Sequence, residues 1–133
     1  MGRRISSSTQ QDKLERITRL QSAIAQLETY QKFFHRQGEL APDGTWVARY
    51  QVRQPKKVYW YYKLQANQAI FTKTSPAQGL SKYKHLGKAG SQAHIDGVMG
   101  VVSRTIISEL QKTIDSLKSS LLDISFDAEQ EDK

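Results

Sequence analysis

The feature that most constrains the fold of this chain is a change in the spacing of its apolar residues. Across residues 11–37 apolar side chains recur every three or four positions, as they do on one face of an α-helix. Residues 46–64 instead alternate with a period of two, which predicts paired β-strands. The helical spacing returns over residues 91–125. A chain with this order has to bury two helical stripes and one side of a small sheet.

The first long helix is predicted over residues 11–37, a stretch that contains no Gly or Pro. Ser8 and Gln11 have the spacing of a capping box at its start, and Gly38 lies where a helix C-cap is expected. Its apolar stripe consists of Leu14, Ile17, Leu20, Ile24, Leu27, Tyr30 and Phe34. This stripe is expected to pack in the core rather than to form a cofactor site.

The second long helix is predicted over residues 91–125, with Ser91 as its N-cap. From Leu110 onward its apolar residues are spaced alternately four and three apart, which is typical of a coiled-coil seam. Because the strands between the helices return the chain to its starting side, we expect the two helices to pair antiparallel. They would do so as a coiled coil or as half of a dimeric bundle.

Turn residues divide the region between the helices. Pro42-Asp43-Gly44 is a strong breaker, and Gln54-Pro55-Lys56-Lys57 separates two alternating strands. A turn at residues 66–68 leads to a third predicted strand at 69–73, and residues 81–86 add a fourth strand or an edge. The prediction is a three- to four-stranded antiparallel β-meander within residues 45–88.

These elements predict a single domain of the α+β class, with a long helix on each side of the meander. The ends of the chain lack periodic apolar positions. Residues 1–10 are therefore expected to be a disordered lead, and residues 126–133 a disordered acidic tail. Such a tail either folds back on a basic surface or only aids solubility.

The charge of the chain is concentrated in the predicted meander. The whole chain has a formal net charge of +7, yet no Asp or Glu occurs between Asp43 and Asp96. The basic residues of this interval are Arg49, Arg53, Lys56, Lys57, Lys63, Lys73, Lys82, Lys84 and Lys88. Eight of the twelve aromatic residues lie in the same interval, namely Trp46, Tyr50, Tyr59, Trp60, Tyr61, Tyr62, Phe71 and Tyr83. Cations neutralise phosphates and flat rings stack on bases, so this composition favours a nucleic-acid-binding surface.

Strand alternation predicts which side chains form that surface. We expect one sheet face to be core and the other to present Arg49, Gln51, Arg53, Tyr59, Tyr61, Lys63 and Gln65. The residues expected to contact nucleic acid are Arg49, Gln51, Arg53, Lys56, Lys57, Tyr59, Tyr61, Lys63, Lys82, Lys84 and Lys88. A partly solvated sheet with an ordinary polar face is the simpler alternative.

Catalytic and metal-binding patterns are not found. The chain has no Cys, and His35, His85 and His94 lack the spacing of metal ligands. The Gly87-Lys88-Ala89-Gly90-Ser91 stretch is an N-cap or an anion-binding turn, and it does not match a Walker A loop. We therefore expect a non-enzymatic protein without a cofactor. Met1–Ser6 carries two arginines but no apolar run, so we also expect no secretory signal and a cytoplasmic location.

Three segments resemble a known class of domain. They are Trp46–Val52, Val58–Leu64 and Tyr83–Lys88. Together they are similar to the three-stranded-sheet DNA-binding domains at the N-terminus of phage-type integrases, and to mobile-element-associated bacterial proteins with a Tyr-Trp-Tyr-Tyr strand and a coiled-coil helix. The resemblance covers roughly residues 45–90 and implies a sheet that enters the major groove of DNA. It assigns base or phosphate contacts to Arg49, Gln51, Arg53, Tyr61 and Lys63. A long helix precedes the sheet here and no recombinase catalytic segment follows it, so DNA binding alone is implied.

The functional expectation is thus a non-enzymatic protein that binds double-stranded DNA through a basic sheet face, as a regulator or a mobile-element accessory. We expect DNA rather than RNA, no membrane contact, and a homodimer formed through the helices. Single-stranded nucleic acid or RNA stacked on the tyrosines is a variant of this expectation. The alternative from another class is a coiled-coil adaptor whose basic sheet docks an acidic protein.

Overall fold

The structure is a computed structural model that describes residues 7–73, Ser75 and residues 78–126. Within these residues it contains two long helices and five strands. They are α1 Ser7–His35, β1 Trp46–Gln54, β2 Lys57–Gln65, β3 Phe71–Thr72, β4 Leu80–Ser81, β5 Tyr83–Lys88 and α2 Gln92–Ser125. Neither helix has a stretch apolar enough to cross a membrane within the described part of the chain. The predicted α+β class, with one long helix before the antiparallel strands and one after them in the chain, is confirmed.

Helix α1 begins four residues before its predicted start, because neither Gly nor Pro occurs between Ile5 and Gln37 to stop it. The expected disordered lead is therefore wrong for residues 7–10, which are helical. The helix ends at His35, just before Gly38 with its φ of 111°. Residues 1–6, and residues 127–133 of the predicted acidic tail, lie outside the described residues.

The chain forms two compact units, and the first of them is helical. It combines α1 up to Phe33 with α2 from Ile107 onward. Gln31 Nε2 donates a hydrogen bond of 2.8 Å to Gln111 Oε1, and Lys118 Nζ lies 3.7 Å from Glu28 Oε2. Glu28 precedes Gln31 in α1, whereas its partner Lys118 follows Gln111 in α2. The two helices therefore run in opposite directions, and the predicted antiparallel pairing is confirmed. The buried side chains of this unit are Ile24, Ile107, Ile114 and Ile124.

The second unit, residues 34–106, contains the strands. Strands β1, β2 and β5 form an antiparallel sheet in that spatial order, while β3 and β4 pair separately. The predicted third strand at 69–73 is thus wrong as a member of the main sheet. Its backbone bonds to the returning chain instead, with Ile70 N donating to Ser81 O at 3.0 Å. Strand β5 completes the sheet because Leu86 brings an apolar side chain to the core, where it is buried at 5% exposure.

The core of this unit lies between one face of the main sheet and the first part of α2. Leu64, Ala66, Phe71 and Leu86 form a buried cluster, against which Val47, Tyr62 and Val101 pack. Two glycines of α2 permit the helix to lie close to β5 and to the loop before β1. A Cβ on Gly97 would lie 2.6 Å from the Leu86 side chain, and a Cβ on Gly100 would lie 2.8 Å from the Glu39 carbonyl oxygen.

The start of α2 has the predicted serine cap. Ser91 Oγ accepts a hydrogen bond of 3.2 Å from His94 N and donates one of 3.1 Å to Leu86 O. The cap satisfies a free N–H of the first helical turn and ties the helix to β5. The N-cap interpretation of this turn is therefore confirmed.

Candidate nucleic-acid interface

The register of β1 and β2 divides the predicted surface between two faces. Side chains of directly opposite residues in an antiparallel pair project to the same side of the sheet. Arg49 is opposite Tyr62, whereas Tyr61 is opposite Tyr50. Arginines and tyrosines that were expected on one face therefore project in opposite directions, and the expectation of a single face is wrong.

The cause of the division is the length of the turn. Pro55 and Lys56 form a two-residue turn, so Gln54 is the partner of Lys57. Odd-numbered residues of β1 consequently share a face with even-numbered residues of β2. We call one side the arginine face, which consists of Val47, Arg49, Gln51, Arg53, Val58, Trp60, Tyr62 and Leu64. We call the other the tyrosine face, which consists of Trp46, Ala48, Tyr50, Val52, Tyr59, Tyr61, Lys63 and Gln65 of this hairpin.

The arginine face is covered at one end and bare at the other. Near Leu64 it is sealed by α2, where the Tyr62 ring stacks on His94 with centroids 3.7 Å apart. Farther along, Gln51 and Arg53 are exposed, and the Arg49 guanidinium lies 3.8 Å from the centroid of the Trp60 ring. This cation–π contact restricts the motion of the guanidinium.

Strand β5 is shorter than its neighbour. It pairs with β2 only from Tyr61 to Gln65. The part of the hairpin from residue 51 to residue 60 therefore extends beyond β5, and we call this part, together with Arg49 at its base, the β-ribbon. It carries the exposed cations Arg49, Arg53, Lys56 and Lys57. Since residues 44–95 contain no Asp or Glu, no carboxylate of this segment neutralises them.

The tyrosine face is a cluster of phenol rings and cations. Tyr50 and Tyr61 have ring centroids 5.9 Å apart, and the Tyr50 hydroxyl lies 3.0 Å from His85 Nδ1. Lys63 Nζ lies 5.2 Å from the Tyr50 centroid and 4.1 Å from that of Tyr83. The cluster is spread over β1, β2 and β5 and is formed by side chains that the primary sequence separates widely.

A second lysine extends this cluster toward the β-ribbon. Lys88 is opposite Tyr61 in the sheet, and its Nζ lies 4.5 Å from the centroid of the Tyr59 ring. Four of the predicted contact residues, Tyr59, Tyr61, Lys63 and Lys88, thus lie together on this face. The register also adds Tyr50, Tyr83 and His85, which were not among the predicted contacts.

The other two predicted contact residues lie elsewhere. Lys84 is opposite Leu64 and lines a cavity of about 510 Å³ together with Asp96, so a carboxylate lies at the same cavity. Lys82 lies in the bend between β4 and β5, where its carbonyl oxygen accepts a hydrogen bond of 2.9 Å from Ala66 N. Neither belongs to the β-ribbon or to the rings of the tyrosine face.

The histidines have local roles. His94 Nδ1 accepts a hydrogen bond of 3.0 Å from Gly90 N, in addition to the stack on Tyr62. His85 engages Tyr50 on the tyrosine face. Among the residues that the structure describes, no group of three His, Asp or Glu side chains is arranged to hold a metal ion.

No family model, no curated protein and no solved structure matches the chain. The resemblance to integrase-type DNA-binding domains therefore stays a prediction. The two faces of the β1–β2 hairpin have to be interpreted from their own chemistry.

Proposed function

We propose that the protein is a non-enzymatic nucleic-acid-binding protein that holds double-stranded DNA with its β-ribbon. The observation that carries the proposal is the projection of a two-stranded, carboxylate-free hairpin beyond the third strand, with arginines on one side and lysines at its tip. The major groove of B-DNA is wide enough for a two-stranded ribbon. The dimensions and the charge of this element both fit that groove.

The residue types suit both parts of duplex recognition. Arginine donates paired hydrogen bonds to guanine, and glutamine does so to adenine, so Arg49, Gln51 and Arg53 form a row that reads base edges. Lys56 and Lys57 at the turn suit phosphates, which need only a positive charge. The stack of Arg49 on Trp60 reduces the entropy that the arginine loses on binding.

The test is the salt dependence of binding to a labelled duplex. Engagement of two phosphates by Lys56 and Lys57 predicts a log–log slope of about −1.8. Replacement of Arg49 and Arg53 by alanine is expected to cost about 1–3 kcal/mol for each arginine that reads a base. Lys73→Ala is the matched control, because Lys73 is an exposed cation of the same acid-free segment but lies outside the ribbon. Lys118→Ala in the helical unit is a second control.

Two results would overturn the proposal. One is the absence of duplex binding at low salt by the folded protein. The other is an equal loss of affinity in the control variants and in the double arginine variant, because binding would then reflect net charge alone.

A second candidate function is a protein-interaction adaptor, and exposed apolar residues of the helical unit favour it. Leu14 is 59% exposed and Leu122 is 57% exposed. Apolar side chains on the outside of a helix pair are suitable for a partner helix, including that of a second copy of the chain. If the partner is a second copy of the chain, sedimentation equilibrium is expected to give the mass of two chains. The double variant Leu14→Gln, Leu122→Gln is then expected to give the mass of one chain. Unchanged duplex affinity in that variant would separate the two functions.

A further inference from the structure

We propose that the tyrosine face is a second binding site, which takes the unpaired bases of a single-stranded nucleic acid. The site consists of Tyr50, Tyr59, Tyr61, Lys63, Tyr83 and Lys88. It lies on the opposite side of the hairpin from Arg49 and Arg53. The proposal does not depend on duplex binding by the β-ribbon, and its experiment has a separate readout.

The rings lie where stacked bases need them. Tyr59 and Tyr61 are two residues apart on one strand, so their side chains leave the same face about 6.7 Å apart. That distance is about twice the 3.4 Å step of stacked bases in a single strand of DNA, which leaves room for a base beside each ring. Trp46 is 39% exposed and Tyr83 is 40% exposed at the other end of the face. An open antiparallel sheet with aromatic side chains is a recurrent platform for two or three unpaired bases.

The lysines of this face are expected to bind the phosphates of the strand. In the free protein Lys63 Nζ lies near the rings of Tyr50 and Tyr83, and Lys88 Nζ lies near that of Tyr59. An exposed ammonium gains only about 0.5–1 kcal/mol from a ring, whereas a phosphate forms charge-assisted hydrogen bonds with it. A bound strand therefore draws the lysines to its phosphates and frees the ring faces for its bases.

The chemistry favours a single strand over other anionic partners. Bases of a duplex are already stacked on one another, so their faces are closed to the tyrosines. An acidic peptide would pair with Lys63 and Lys88 but would have no flat groups to stack on the rings. Interleaved rings and cations within an acid-free segment match the alternation of bases and phosphates in a strand.

The two tryptophans of the chain allow the faces to be observed separately. Trp46 is on the tyrosine face and Trp60 on the arginine face. Trp60→Phe leaves Trp46 as the reporter, and Trp46→Phe leaves Trp60. Titration with a 12-nucleotide oligothymidine is expected to quench Trp46 and to leave Trp60 unchanged. Quenching of Trp60 alone by the strand would overturn the proposal.

Substitutions on the tyrosine face then test stacking. Tyr61→Leu is expected to weaken oligothymidine binding by about tenfold, since loss of one base–ring stack has an effect of this order. Tyr61→Phe keeps the flat ring and is expected to bind within about threefold of the parent protein. Lys63→Ala is expected to make the log–log salt slope shallower by about 0.7. Circular dichroism and thermal unfolding would verify that each variant is folded.

Two competitors complete the test. An abasic strand of equal length keeps the phosphates but lacks bases, so it is expected to bind much more weakly than oligothymidine. A poly-glutamate peptide of equal charge is expected to compete poorly. Equal binding of either competitor would overturn the proposal in favour of a simple electrostatic surface. If the parent protein binds oligothymidine but does not bind a duplex, only the function proposed for the β-ribbon is overturned.

Discussion

The two faces of one hairpin differ although they are formed by the same two strands. The arginine face is closed by α2 near Leu64 and bare only along the β-ribbon. The tyrosine face carries rings and lysines over three strands, some half-buried and others, such as Tyr83 and Lys88, exposed. Alternation of residue types along a strand therefore did not determine which face became core. The position of the helix did.

The faces also use their cations differently. The Arg49 guanidinium lies over an indole ring, whereas Lys63 and Lys88 lie near phenol rings as point charges on flexible stems. A planar guanidinium is suited to fixed, paired hydrogen bonds, and an ammonium is suited to phosphates in varied geometries. This difference suits the two proposals, which are readout of base edges by the arginine face and binding of a single strand by the tyrosine face.

The largest effect expected from a single substitution lies on the covered side of the sheet. Leu64 is 4% exposed, so Leu64→Ala is expected to lower the free energy of unfolding by about 2–5 kcal/mol. Val52→Ala on the half-buried tyrosine face is the matched control, with an expected loss below about 1.5 kcal/mol. Urea denaturation measures both. Equal losses would contradict the distinction between a covered and an open face.

A smaller effect is expected where α2 meets the loop before β1. Gly100→Ala would bring a Cβ to 2.8 Å from the Glu39 carbonyl oxygen and would disturb the hydrogen bond from Ala41 N to Gly100 O. We expect a net destabilisation of about 1 kcal/mol, since overpacking outweighs the gain in helix propensity. Gly97→Ala should cost less, because its neighbour is the end of the Leu86 side chain, which can rotate. The reverse order in thermal unfolding would show that the loop adjusts more easily than the leucine.

Removal of one aromatic ring from each face is expected to have a still smaller effect, and a different one on each face. Trp60→Leu removes the platform under Arg49 and is expected to weaken duplex binding by about threefold, equivalent to about 0.6 kcal/mol of cation–π energy. Tyr83→Leu is expected to leave duplex binding unchanged and to weaken oligothymidine binding. Fluorescence anisotropy with each labelled ligand measures both effects. If each variant lost both ligands equally, the two faces would not be independent sites.

The smallest expected effect concerns a single hydroxyl. Tyr50→Phe removes the hydrogen bond with His85 but keeps the ring on the tyrosine face. Because the pair is exposed to solvent, the loss of unfolding free energy should not exceed about 0.5 kcal/mol. Oligothymidine binding should be retained. A loss of binding above tenfold would assign the hydroxyl, rather than the ring, to the ligand.

Much of the secondary structure was predictable because it is encoded locally. Uninterrupted helical spacing identified both long helices, and α2 begins and ends within one residue of its predicted range. Pro55 marked the turn between β1 and β2, and Ser91 marked the cap of α2. Each of these features depends on neighbours within a few residues.

It was harder to predict which strands belong to the main sheet, because strand pairing connects residues that are distant in sequence. Phe71 and Leu86 are both apolar residues in extended segments, yet only the strand of Leu86 joins β2. Packing of Leu86 against Gly97 of α2 distinguishes them, and no local pattern reports that contact. The division of the hairpin into its two faces could have been predicted from the sequence. A two-residue turn at Pro55-Lys56 implies the pairing of Gln54 with Lys57, which sets the register.

The sequence by itself determined two helices, a β-hairpin between them and a carboxylate-free basic and aromatic segment, because periodicity and composition are local properties. Only the tertiary structure decided that β5 completes the sheet, that α2 covers part of the arginine face, and that Lys63 and Lys88 lie beside tyrosine rings. The pairing of β5 and the position of α2 set these relations, and both accompany burial of Leu64, Phe71 and Leu86 in one apolar cluster. The one predicted surface is thus divided between two faces with different chemistry.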